Sequence, residues 1–104
     1  MATQNSEKRM TFNENIHMQD AMRYIENTYA KHYSGKVQAT ELIASADLGK
    51  GFCLGNIIKY ASRYGKKFKS YEHNKDDLLK IIHYAVILMC IEEEQEVKSL
   101  HEKV

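Results

Sequence analysis

The sequence has 104 residues and no proline, and its 15 Lys and Arg nearly cancel its 14 Asp and Glu. That length suits one domain, and a net charge of +1 argues against a nucleic-acid binder, whose domain is normally basic. A hydrophobic fraction of 43% with five glycines excludes wholesale disorder and favours helices over a turn-rich β fold.

Residues 1 to 12 are polar and aperiodic and read as a flexible arm, leaving 13 to 104 as a single helical domain. A first helix is expected from Asn13, which can cap the turn at Glu14. Met18, Met22, Ile25 and Tyr29 recur at spacings of three and four, giving one apolar stripe, and Ser34-Gly35 ends it. A second helix from Lys36 to Asp47 would turn Val37, Leu42, Ile43 and Ala46 inward. Gly49-Lys50-Gly51 reads as the break after it.

The third helix spans Phe52 to Tyr64, with Phe52, Leu54, Ile57, Ile58, Ala61 and Tyr64 apolar and Gly65 as its stop. A basic loop, Lys66 to His73, follows. Asn74 with Asp77 three residues on resembles a capping box for a fourth helix, from Lys75 to Leu100. The expected fold is all-α, a small bundle of about four helices.

Between Ile81 and Ile91 the fourth helix is apolar around its whole circumference, and such a helix has to be covered on all sides. The chain is too short for that, so a homo-oligomer sharing this core is expected. The eleven residues of the run are too few to cross a bilayer, and the polar N-terminus has no signal-peptide core. Two cysteines, Cys53 and Cys90, form no disulfide framework. Both lie in apolar stretches and read as buried thiols. These features suit a cytoplasmic protein without a membrane partner.

Five of the 15 basic residues fall between positions 59 and 69, with no acid among them. Lys59 and Arg63 share a helix face, and Lys66 and Lys67 lie just past its end. The cluster suits a polyanion such as a phosphate chain, although cations also favour a helix C-terminus on dipole grounds alone. Gly55 allows close approach. Asn56 brings a donor and an acceptor to an apolar stripe, for a backbone group or a base edge. Tyr60 and Tyr64 can stack a base or simply pack.

Familiar sites are missing from the sequence. No Walker A loop, dinucleotide fingerprint or nucleophile elbow occurs. His17, His32, His73, His83 and His101 do not pair with cysteines at zinc spacing, so no metal site is expected. His83 reads as a core histidine. Glu92, Glu93 and Glu96 form a solvated acidic face rather than half of a magnesium site.

The stretch from His32-Tyr33 through Phe52, LGNIIKYASRYGKK and Asp77-Leu78-x-Lys80 to Tyr84 resembles the SaV-like family of small phage proteins, over about positions 32 to 90. That pattern is matched at His32, Tyr33, Gly55, Asn56, Lys59, Tyr60, Arg63, Gly65, Lys66, Lys67, Asp77, Leu78, Lys80 and Tyr84, while the loop from Phe68 to Asn74 is longer than usual. Members are often labelled nucleotide-kinase-like, because one phage relative is a deoxynucleoside monophosphate kinase lacking a Walker A loop. The resemblance implies a nucleotide ligand held by Gly55, Asn56, Lys59, Tyr60, Arg63, Lys66, Lys67, His32, Tyr33 and Lys80, in the cytoplasm of an infected bacterial host.

Three functions follow. The chain captures a phosphorylated nucleotide without a cofactor, as a sponge for a cyclic nucleotide immune signal. Alternatively it is a deoxynucleoside monophosphate kinase needing magnesium, with Asp76 and Asp77 as the nearby acids. In the third it is a helical protein-interaction module. Whether it is an enzyme stays open at this point.

Overall fold

The computed structural model describes residues 9–32, 41, 43–45, 47–66 and 70–102, with the side chain of His32 outside that set. The fold is all-α. Three helices carry it: α1 (Glu14–His32), α2 (Gly49–Arg63) and α3 (Tyr71–Glu102). Residues 41 and 43–45 are also helical, and most of the expected second helix lies outside the described residues.

α1 starts where expected but not by an Asn13 side-chain cap. Asn13 adopts a left-handed φ of 56°, which Asn tolerates better than most residues. Its carbonyl accepts the first bonds, from the N–H groups of Ile16 and His17. The Glu14 carboxylate turns back to accept from the Phe12 N–H.

The break before α2 falls at Asp47, not at the glycines. Asp47 has φ 62°, its N–H bonds the Ala44 carbonyl, and the Leu48 N–H bonds the Ile43 carbonyl. That pair of bonds around a left-handed residue is a Schellman ending. Gly49 to Gly51 then form the first turn of α2. Gly49 is glycine because of close approach: a Cβ there would stand 2.7 Å from Ile91 Cδ1 and 3.2 Å from Ala44 Cα.

Gly65 closes α2 with φ 72°, as its position implied. α3 starts a turn earlier than expected. Ser70 is its N-cap, accepting from the His73 N–H at 3.2 Å, so Asn74 lies within the first turns of α3. Asn74 does a different job, accepting the Gly65 N–H on its Oδ1 at 3.0 Å and pinning the end of α2 to the start of α3.

α2 and α3 run antiparallel as a hairpin. Lys50 pairs with Glu92 at 3.0 Å at one end, and the Gly65–Asn74 bond closes the other. Between them Phe52 meets Tyr84 edge-on at 5.7 Å between ring centroids. Cys53 is wholly buried between these contacts, whereas Cys90, expected to be buried as well, is exposed. It stands one turn before Glu94, whose carboxylate lies 3.8 Å from its Sγ.

α1 meets α3 more lightly. Lys75 reaches Asp20 at 3.3 Å, and Tyr24 meets His83 edge-on at 6.1 Å. Ala21 is buried, while Met18, Met22 and Tyr29 are exposed. The inward face of α1 is therefore Ala21, Tyr24, Ile25 and Thr28, rotated from the expected stripe. The two polar anchors to α3 set that rotation. On α2, Leu54, Ile58, Ala61 and Tyr64 are likewise exposed, not inward. No described helix is long and apolar enough to cross a membrane.

Candidate functional site

Tyr60 is the centre of the cationic region. Its ring lies nearly parallel to Tyr84, 13° between planes and 6.3 Å between centroids. Lys59 Nζ sits 4.7 Å from the Tyr60 centroid, the Arg63 guanidinium 5.5 Å and Lys80 Nζ 5.6 Å. Lys59 and Arg63 come from α2 with helical spacing. Lys80 arrives from α3, brought there by the hairpin. Each cation is within the range at which an aromatic face attracts charge.

The cations differ in their electrostatic state. Lys80 is half-buried and tied to the Asp76 carboxylate one turn back. Burial works against its charge, but the Asp76 hydrogen bond and charge, together with Tyr24 and Tyr60, offset this and hold its pKa above the ordinary lysine value. Lys59, Arg63 and Lys66 are exposed, and among the described residues none of the three is paired with a carboxylate. They are the cations left available to an incoming anion.

A cavity of about 520 Å³ opens beside this cluster. Lys80 and Tyr84 belong to both. Tyr24, Ile25, Ile87 and Ile91 give it apolar walls, with His83 between Tyr24 and Tyr84. Its volume is in the range of small-molecule sites. Burial lowers the His83 pKa, so the imidazole is neutral near pH 7. It presents one donor and one acceptor. Burial also raises the Tyr84 phenol, which stays protonated. Glu41 and Glu94 line the cavity as well. Lys80 and Glu94 are separated by about 21 Å along α3, at 1.5 Å per residue.

The other expected residues are less central. Asn56 is half-buried, and its Nδ2 donates to the Phe52 carbonyl at 2.9 Å, so its donor is turned onto its own helix. Around Gly55 a Cβ would meet nothing within 4 Å; it packs against no described neighbour. The His32 side chain, Tyr33 and Lys67 lie outside the described residues. Among the described residues no group of three or more His, Cys, Asp or Glu could hold a metal ion. Asp77 is buried under the start of α3 rather than presented at the surface.

Reading residues alone left out Tyr24 and His83 as cavity walls. Tyr24 lay off the expected stripe of α1, and His83 read as core. An aromatic displaced from an apolar stripe toward a helix bearing a lone histidine was the available signal.

Fold and site define a small all-α protein with a cation rim beside an aromatic-walled cavity. The chain belongs to the family described as a protein of unknown function, DUF3310, whose model matches residues 27–86. That stretch includes Lys59, Tyr60, Arg63, Lys80, His83 and Tyr84. No curated protein and no solved structure matches the chain.

Proposed function

We propose that this protein binds a phosphorylated nucleotide, with the phosphate on the Lys59, Arg63 and Lys66 rim and the base toward the cavity walled by Tyr24, His83 and Tyr84. One observation supports the reading above others: Lys59 and Arg63, with no carboxylate partner among the described residues, stand over the Tyr60 ring, which stacks on Tyr84, a wall of the cavity of about 520 Å³. A phosphate supplies the missing negative charge, and charge-assisted bonds to it are the strong ones. An aromatic-walled cavity suits a flat base. The resemblance to the SaV-like phage proteins implies the same ligand class; capture of a cyclic nucleotide signal, rather than its turnover, rests on the phage context of that resemblance and on a cation cluster without an assembled catalytic set among the described residues.

The experiment incubates the protein with nucleoside monophosphates, ATP with magnesium, and cyclic nucleotides, and analyses ligands before and after denaturation. Capture predicts unchanged ligand released on denaturation. Phosphorylated product would instead assign the kinase reading. Absence of both, with no ligand raising the melting temperature, would leave neither standing. Replacing Lys59 or Arg63 with Ala removes one charge-assisted contact of about 1.5–3 kcal/mol, or roughly ten- to a hundredfold in Kd. Helical content should not change, since both side chains are exposed.

A further inference from the structure

The cavity beside Tyr84 carries opposite charge at its two ends. Lys80 stands at the end next to Tyr60, its own charge already met by Asp76. His83, Tyr84 and Ile87 follow along α3 as aromatic and apolar wall. Glu94 stands at the far end, beside Cys90 one turn back, with 3.8 Å between its carboxylate and Sγ. Glu41 joins the lining from the helical segment that carries Ala44, which meets Gly49 beside Ile91.

Glu94 differs from the solvated glutamates around it. Of Glu92, Glu93, Glu94 and Glu96 it alone lines the cavity, while Glu92 is paired with Lys50. Among the described residues neither Glu94 nor Glu41 has a cationic partner. What Glu94 does accept is a thiol hydrogen, a weak donor. Chemistry then limits what can lie at this end. A ligand presenting carbonyl oxygens would set acceptor against acceptor, whereas an N–H group would be held by a charge-assisted bond. With its phosphate on the cation rim, a nucleotide laid along α3 points the edge of its base at Glu94. Cys90, beside that carboxylate, is ten residues from Lys80, or about 15 Å along the axis. One nucleotide with a hydrogen bond at each end bridges such a span.

We infer that Glu94, assisted by Glu41, reads the base, and that the ligand is a nucleotide whose base bears an exocyclic amine at that edge. This rests on the nucleotide reading and adds to it which bases are accepted.

Equilibrium binding of two matched pairs tests it on the whole protein. CMP is compared with UMP, and AMP with IMP, as monophosphates and as 3′,5′-cyclic forms; each pair exchanges an amine for a carbonyl at one ring carbon. In the more tightly bound pair the amine form is expected to bind about tenfold better or more, the scale of one hydrogen bond to a charged group. Glu94→Gln, whose amide donates as well as accepts, should erase most of that preference and keep the helical circular dichroism, since the side chain is exposed. The amine form should also slow alkylation of Cys90 by iodoacetamide, whereas inorganic phosphate, held at the rim, should not. Equal binding of the two forms overturns the inference and leaves the nucleotide reading in place. So does a preference that survives both Glu94→Gln and Glu41→Gln, or a bound nucleotide that leaves Cys90 labelling unchanged. Failure of every one of these nucleotides to bind defeats both.

Discussion

α3 is held by two interfaces of different character. Against α2 it is anchored along its length: the Lys50–Glu92 pair, the Gly49–Ile91 approach, the Phe52–Tyr84–Tyr60 rings and the Asn74 bond to Gly65. Against α1 the described contacts are lighter, a half-buried ion pair and an edge-on ring contact, and beyond them a cavity opens. The close interface fixes where the cations stand. The open one leaves room for a ligand next to them. Rigidity and access are thus divided between the two sides of one helix.

The sharpest way to break this contrast is Tyr84→Ala, which removes the ring touching Phe52, Tyr60 and His83. Loss of a large aromatic costs about 3–5 kcal/mol when fully buried. Tyr84 is half-buried, and about 2–3 kcal/mol is expected, or a melting temperature lower by roughly 10 °C. Calorimetry checks it. Gly49→Ala comes next. Its Cβ would crowd Ile91 and the Ala44 backbone, and overpacking of this kind costs about 1–3 kcal/mol.

On the α1 side the effects shrink. Burial holds the His83 pKa below its ordinary value, so the unfolded chain takes up this proton more readily than the folded one. Stability from neutral His83 is complete above about pH 6.5 and is lost as pH falls toward the lowered folded value. His83→Phe should flatten that part of a denaturation-against-pH curve, by less than about 1 kcal/mol for a side chain only half withdrawn from water. The smallest change belongs to Asp20→Asn. Lys75 holds the Asp20 carboxyl below its usual range, but both side chains keep about a third of their surface in solvent, and only a small fall in the melting temperature is expected. A large fall there would mean that α1 depends on this ion pair more than its exposure suggests.

The helical class and α3 were legible because apolar residues repeat at helical spacing. So was Gly65, since few other residues end a helix in the left-handed region. Local chemistry misled where two signals competed. Asn74 and Asp77 looked like a cap, but Ser70 sits a turn earlier with the same capacity, and Asn74 was needed across the hairpin. Gly49 looked like a breaker when it was a contact. Lys59 and Arg63 declared themselves by spacing. Their meeting with Lys80 over one ring depends on the α2–α3 hairpin, a tertiary fact that no window of sequence contains. The rotation of α1 is of the same kind, because Met18 and Met22 form a convincing stripe until Asp20 and Tyr24 find partners on α3.

The two thiols extend these points to the protein in motion. Cys90 is open to a reagent, although neighbouring Glu94 raises its pKa and slows its attack. Cys53 is sealed at the hairpin interface, its pKa raised by burial. In the native protein one sulfur should label promptly and the other only when α2 lifts from α3. The lag between them is a built-in clock for how often the hairpin breathes.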